Sequence, residues 1–364
     1  MDKTFRIFVI NPGSTSTKLA LYENESCVLE ENADIDPALI RQCKTVFDQY
    51  ELRMNSILEF MRVNGIELDG IDCFAARGCG GGNQKAGAYL IDEAYMNLCR
   101  TNGIPHISNL SPILAHELAK RAGKPVLLPD DVVPRAGKQA FVYDAEGVNE
   151  RDPLTLLSGL REVKMNSGSH VLNAKIVARK AAEKLGMDYG KATVVVCHMG
   201  GGVSSSCHKN GRLIDSTYDS YAPERAGGIP ASAALNFVNL CFSGQYTAAD
   251  IKKLLMGKGG LVSYLGVSDL REVERRIGSG DEEAKFYFDG MVLGLAKAGM
   301  NVDAIALTGG MANSKRLTAE LSTRVGKIAK VFVFPGSYEM ESLATGTLRV
   351  LRGEESYHLY GTDK

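Results

Sequence analysis

No Cys-x-x-Cys pair occurs among the eight cysteines, which removes the common zinc and redox signatures and gives no disulfide framework. Reduced thiols in a cytoplasmic protein are the expectation. There is no charge excess either. Forty-two basic and 43 acidic residues leave a formal net charge of -1, so neither nucleic acid nor a charged membrane surface is expected as a main partner. The ligand should be small. No run of about 18 apolar residues is present, and the N-terminus enters a strand with no basic region or long apolar core, so neither a membrane span nor secretion is expected. Tryptophan is absent, and 39 glycines point to many tight turns. What the chain does have is length. Its 364 residues are too many for one ordinary core and imply two domains.

Residues 5–22, FRIFVINPGSTSTKLALY, set a polar glycine-containing turn between two apolar runs. Residues 7–10 are β-branched and aromatic enough for a buried strand, Pro12-Gly13 is turn chemistry, and residues 19–22 begin a returning strand. Between them stand four consecutive hydroxyls, Ser14, Thr15, Ser16 and Thr17, and then Lys18. Backbone N–H groups of a glycine turn, hydroxyls and one ammonium form a cradle for phosphate oxygens. A plain hairpin with a polar tip is the competing reading. The pattern G-x-x-x-x-G-K-[ST] is absent and a strand follows the turn, so this is no P-loop.

Apolar spacing over residues 55–64 predicts a helix packed on a sheet. Residues 71–76 read as a strand feeding the turn Arg77-Gly78-Cys79-Gly80-Gly81-Gly82, where backbone can approach a ligand closely. Ser111 reads as an N-cap, with Pro112 first in a helix reaching residue 122. Within that helix His116-Glu117-Leu118-Ala119-Lys120 superficially resembles a zincin motif, but Lys120 stands where the second histidine is required. Residues 125–128 predict a short strand delivering Asp130 and Asp131. Residues 132–169 read as a domain boundary with a partly irregular excursion.

After a helix over residues 170–185 the opening theme returns. Residues 193–197 form a strand, His198-Met199-Gly200-Gly201-Gly202 turns, residues 203–207 return, and Asn210-Gly211 marks a hairpin before residues 212–214. Two strand, glycine turn, strand units half a chain apart argue for duplicated domains with a nucleotide between them. Helices follow over residues 231–240, 247–255 and 281–298. A strand over residues 303–307 ends in Thr308-Gly309-Gly310 ahead of a helix from Ser314, a second place for close approach to a nucleotide, at its adenosine end. A last strand covers residues 331–334, and a helix over residues 339–351 is expected to pack back on the first domain.

Taken in order, INPGSTSTK, AARGCGG, IPHISNL, LLPDDVV, SHVLNAK, CHMGGGVS, PERAGG, GKGGLVSYLGVSDLRE, LTGGMAN and the tail from SYEMESLATG resemble the butyrate kinase branch of the acetate and butyrate kinase family. That family belongs to the actin-like ATPase superfamily. The resemblance implies an α/β fold of two actin-like (ribonuclease H-like) domains with an interdomain nucleotide cleft. The domains would be residues 1–131, completed by a C-terminal helix at about 339–364, and residues 132–338. It implies reversible transfer of the ATP γ-phosphoryl to a short-chain carboxylic acid, butyrate or a branched relative. The products are an acyl phosphate and ADP. The resemblance also implies Mg2+ as cofactor and a homodimer or higher homo-oligomer.

Motif by motif, the resemblance implies Asn11, Ser14, Ser16 and Lys18 on the phosphates, with Gly200 and Gly201 among the nucleotide contacts. Asn11, Asp130 and Glu339 would position the metal, directly or through water. Arg77 would receive the substrate carboxylate, Arg225 would lie beside the transferring phosphoryl, and His198 would donate to it. His106 and Asn109 would lie on the substrate side, while Asp269, Arg271, Gly309, Gly310 and Asn313 would face the adenosine. His170 is expected to be structural. Since a carboxylate is already ionised at neutral pH, its attack on phosphorus requires no general base. Catalysis must then come from aligning two anions and neutralising charge, by direct in-line transfer without a covalent enzyme phosphate.

Between Val133 and His170 the chain departs from the butyrate kinase pattern, and Cys79 with the glycines after it replaces the family's Gly-Leu-Leu. One methylene in an apolar pocket is worth only about 1–3 kcal/mol, so acetate, propionate and isobutyrate stay open as acids. A nucleotide-binding sensor or scaffold is a rival of another class. A chaperone-like or filament-forming ATPase is disfavoured by the arginine loop.

Overall fold

The computed structural model describes residues 3–81, 84–122, 138–152, 155, 170–217, 220–228, 231–296 and 302–362. Two compact units divide the chain, Met1–Glu150 with Tyr338–Lys364, and Arg151–Ser337. Among the described residues no helix is long and apolar enough to cross a membrane.

The first unit contributes β1 (Arg6–Pro12), β2 (Ser16–Glu23), β3 (Ser26–Asp34), α1 (Pro37–Gln42), α2 (Tyr50–Val63), β4 (Cys73–Ala76), β5 (Ala88–Leu90), α3 (Glu93–Thr101), α4 (Leu110–Arg121) and β6 (Gln139–Tyr143). The second contributes α5 (Val171–Lys184), β7 (Thr193–Met199), β8 (Val203–Lys209), β9 (Arg212–Thr217), α6 (Ala231–Cys241), α7 (Ala248–Leu255), α8 (Leu261–Leu265), α9 (Leu270–Gly278), α10 (Glu282–Ala296), β10 (Ala304–Gly309), α11 (Lys315–Val325) and β11 (Lys330–Pro335). The chain then returns to the first unit with α12 (Glu339–Leu351) and β12 (Tyr357–His358).

The sheets share one plan. Strands run β12-β5-β6-β4-β1-β2-β3 in the first unit and β11-β10-β7-β8-β9 in the second, so β3-β2-β1-β4-β6 repeats as β9-β8-β7-β10-β11. In each, two antiparallel pairs open the sheet and parallel strands extend it. This is the duplication that the two glycine turns announce.

In the first sheet Phe8 and Ile10 face the cluster of α2 and α4 residues that includes Met54, Ile57, Leu114 and Leu118. Phe8 meets Phe74 edge to face at 6.2 Å and Phe60 at 6.1 Å. Helix α12 packs on β1, β4 and β6. Its Gly346 lies so close to Tyr143 that a Cβ would stand 2.4 Å from the ring. Strand β3 is at the sheet edge, exposed and rich in charge, the usual protection of an unpaired edge. That same polarity hides it from a search for apolar runs. In the second unit Asn210 (φ 53°) and Gly211 (φ 73°) make the two-residue hairpin between β8 and β9, as their sequence predicts.

Two expectations need correction, and a third lies outside the described residues. The unit boundary falls at residue 150 rather than 131, because β6 pairs in parallel with β4 and belongs to the first sheet. The excursion over residues 132–169 therefore contains a core strand. Ser111 is no N-cap, since α4 begins before it and its hydroxyl donates to the carbonyl of Ile10 at 3.0 Å, tying helix to strand. The expected strand over residues 125–128, and with it Asp130, lies outside the described residues.

Candidate active site

The β1–β2 turn is closed by Gly13 N–H donating to Ser16 O at 2.8 Å. Ser14 and Thr15 are exposed at its tip, and Asn11 and Lys18 face each other across the two strands. The Lys18 ammonium is 2.6 Å from the Glu30 carboxylate on β3. Beneath the turn lies Arg53 of α2, fully buried, donating to the carbonyls of Gly13 (2.8 Å), Ser14 (3.3 Å) and Ser16 (3.0 Å) and to Thr17 Oγ1 (2.9 Å). Sequence reasoning missed Arg53, which falls inside an amphipathic helix with no motif around it.

Ligands of α/β folds gather at the carboxyl ends of parallel strands, and here three adjacent strands end together. Asn11 lies near the end of β1, Arg77 follows β4, and Asp144-Ala145-Glu146 follows β6. The start of α12 adds Glu339. Asn11 Nδ2 donates to Glu339 Oε2 at 2.9 Å, and Arg77 Nη1 donates to the same oxygen at 3.2 Å. On its other edge Arg77 Nε donates to Glu146 Oε1 at 2.9 Å, with Nη2 2.5 Å from that oxygen. Burial opposes the charged form of Arg77, but the Glu339 and Glu146 carboxylates outweigh it and hold the pKa above the usual arginine value.

Glu146 comes from the segment where the motifs fail, and no sequence pattern marks it. The available signal was the run QAFVYD, a buried strand ending in an acid. Asp144 itself is buried, has φ 43°, and accepts from Gly87 N–H at 3.0 Å.

The two residues expected on the substrate side behave differently. His106 is half-exposed, with Nδ1 2.7 Å from Ser108 Oγ and 3.6 Å from Glu146 Oε2, so it joins the network around Arg77. Asn109 does not. It is buried, its Oδ1 accepts from Asn102 at 2.9 Å, and its Nδ2 donates to Asn102 Oδ1 and Ile104 O. The amide serves to pin the 102–109 loop.

In the second unit His198 and Thr308 pair across β7 and β10, the strands whose ends carry the two glycine turns. His198 Nδ1 lies 3.0 Å from Asn173 Nδ2, and the ring stacks on His170 at 4.2 Å. With the amide as donor, Nδ1 accepts and the ring proton sits on Nε2, the nitrogen that a Cβ on Gly200 would meet at 3.9 Å. His170 thus orients His198 by stacking. The glycine turn is also the seat of Arg225. A Cβ on Gly202 would stand 2.9 Å from Arg225 Cδ and Nε, and Glu224 N–H donates to Gly201 O at 3.0 Å. His198 and Arg225 therefore flank one turn.

Beside that turn opens a cavity of about 800 Å³, in the size range of small-ligand sites. Gly200, Gly201, Asp269, Arg271, Gly310 and Asn313, all expected at the nucleotide, are among its lining residues. Asp269 is the N-cap of α9, accepting from Arg271 N–H at 2.9 Å and pairing with the exposed Arg271 guanidinium at 2.6 Å. Ser314 caps α11, so two helix N-termini reach this cavity and favour negative charge there. Gly309 has φ 91° and abuts Met199, where a Cβ would meet a carbonyl oxygen at 2.3 Å. It sets the approach of two strand ends.

Residues 157–329 match the family model described as the Acetokinase family. The solved acetate kinase of Porphyromonas gingivalis superposes with a TM-score of 0.73 at 18% identity, covering 95% of this chain and 100% of that one. The chain has the acetate kinase-like fold. A propionate kinase from Francisella tularensis subsp. tularensis SCHU S4 gives 0.69 at 18% identity, over 94% of this chain and 98% of that one. The acetate kinase of Entamoeba histolytica gives 0.69 at 15% identity with the same coverage.

Proposed function

We propose that the protein is a carboxylate kinase that transfers the γ-phosphoryl of ATP, reversibly, to a short-chain fatty acid, butyrate or a branched relative. The observation that carries this is the pairing of Arg225 and His198 on one glycine turn beside a nucleotide-sized cavity, within the stretch that matches the Acetokinase family. In this reading one carboxylate oxygen forms a bond to the γ-phosphorus as the bond to the β–γ bridging oxygen breaks. ADP leaves with the electron pair, and no proton has to move. Arg225 and His198 Nε2–H stabilise the equatorial oxygens, and Arg77 receives the acid. The second unit's cavity takes the adenosine, and the β1–β2 turn takes phosphate.

The Glu339 carboxylate, which accepts from Asn11 Nδ2 at 2.9 Å, is the oxygen ligand the site offers, and one carboxylate with water and substrate phosphates is the kind of set that holds magnesium. Among the described residues no cluster of three or more His, Cys, Asp or Glu forms a dedicated metal cage. Magnesium would neutralise the β- and γ-phosphoryl oxygens. Asp130, from its motif, is the further acid of this set.

The test is acyl phosphate formation from magnesium-ATP, trapped with hydroxylamine, across acetate, propionate, butyrate, isobutyrate, valerate and hexanoate. Activity peaking at butyrate or isobutyrate, and falling about 10²-fold or more in Arg225→Ala, is the expected result. A peak at acetate or propionate would move the substrate and keep the chemistry. One observation favours a second reading, a nucleotide-binding protein without transfer: Arg77 already holds two carboxylates, Glu146 and Glu339. ATP binding with no trapped product from any acid would support it.

A further inference from the structure

Arg53 is fully buried, and none of the described groups that accept from its guanidinium is a carboxylate. Its five N–H groups meet Gln49 Oε1 from Nε (3.0 Å) and Nη2 (2.9 Å), Ser16 O and Thr17 Oγ1 from Nη1, and Gly13 O and Ser14 O from Nη2. Every acceptor is neutral. Burial lowers its pKa to about 10, which leaves the group charged at neutral pH. An uncompensated buried charge costs several kcal/mol, and a turn that merely needed bracing is braced more cheaply by a neutral donor.

The direction of the bonds matters as well. In a planar trans peptide the carbonyl of one residue and the N–H of the next point opposite ways. With the carbonyls of Gly13 and Ser14 drawn inward to Arg53, the N–H groups of Ser14 and Thr15 are turned outward, at the exposed tip of the turn. Outward N–H groups on successive residues make an anion-binding concavity.

We propose that Arg53 is the positioning residue of a polyphosphate site on the β1–β2 turn, holding the carbonyls behind and supplying a charge that bound phosphate balances. The inference rests on the reading of that turn as the phosphate site, and it assigns the site's electrostatics to a residue that touches no ligand. Lys18, the cation on the turn's own strand, is already engaged by Glu30, whereas Arg53 donates to neutral acceptors alone among the described residues.

The experiment is calorimetric binding of ADP, inorganic triphosphate and adenosine to the full chain, as wild type, Arg53→Lys and Arg53→Met. Arg53→Met should weaken ADP and triphosphate about 10-fold or more while adenosine, which carries no phosphate, binds as before. Arg53→Lys, which keeps the charge and loses the fork, should fall between. Where Arg53→Met does not fold, Arg53→Lys decides on the same two ligands. A folded variant whose ADP and triphosphate affinities match the wild type overturns the proposal, because a purely structural brace would lower thermal stability alone. Wild-type protein that binds adenosine but neither ADP nor triphosphate would instead remove the underlying reading of the turn, and the inference with it.

Discussion

Replacing Gly202 by alanine would set a methyl group 2.9 Å from Cδ and Nε of Arg225 and 3.0 Å from Cζ. Ordinary van der Waals contact begins near 3.4 Å, so the arginine stem must retreat by roughly 0.5 Å or more. Gly202 has no positive φ, so the new side chain meets no backbone penalty of its own. The obstructing atoms belong to a long side chain that can rotate aside. Stability should therefore change by less than about 1 kcal/mol, whereas turnover should not escape. If Arg225 meets the transferring phosphoryl as proposed, a displacement near 1 Å costs about 10²-fold, so a loss of 10- to 100-fold in kcat, with the KM for ATP nearly unchanged, is the expected outcome. The assay is hydroxylamine trapping, run beside thermal unfolding. Gly278→Ala, at the end of α9 with nothing within 4 Å of its new methyl, controls for the substitution itself. Wild-type turnover in a well-folded Gly202→Ala protein would refute the assignment of Arg225 to the reacting centre.

Two further outcomes can be checked directly. Glu146→Gln removes one of the two carboxylates that occupy Arg77, so an incoming acid should bind more tightly and its KM should fall about 5- to 10-fold in steady-state kinetics. A higher KM would mean that Glu146 orients the arginine rather than competing for it. The second outcome concerns pH. His208 is fully buried between Tyr189 Oη and Ser206 Oγ, both at 3.0 Å, and burial, with the charges of Lys175 and Arg179, lowers its pKa from 6.5 to about 3. Because the unfolded chain takes the proton first, the stability tied to neutral His208 is fully present above pH 6.5 and is lost progressively down to about pH 3. At about pH 5 the loss should be on the order of 2 kcal/mol, read as a fall in the urea midpoint. His208→Asn should flatten that slope, and an unchanged slope would assign the acid sensitivity to other groups.

The strands that carry the site were legible because their signals are local. β1 and β7 are β-branched runs that end in glycine turns, and Asn210-Gly211 needs only its own two residues to make its hairpin. α12 was readable to the residue from its apolar spacing. β3 and β6 were not. An edge strand spends its outward positions on charge, and a strand whose neighbours match no motif has only its composition to announce it.

The sequence by itself determined the two-fold repeat of strand, glycine turn and strand, the hydroxyl-rich tip of the first turn, and the positions of Arg77, His198 and Arg225 beside glycines. Each follows from backbone chemistry that acts over a few residues. Only the tertiary structure decided what those groups touch. Arg53 reaches the turn from 40 residues beyond Gly13, Glu146 meets Arg77 across 69 residues, and Glu339 meets Asn11 across 328. Such pairs are made by sheet order and helix return, which bring the ends of β1, β4 and β6 and the start of α12 to one edge, and a contact created by topology leaves no period in the chain.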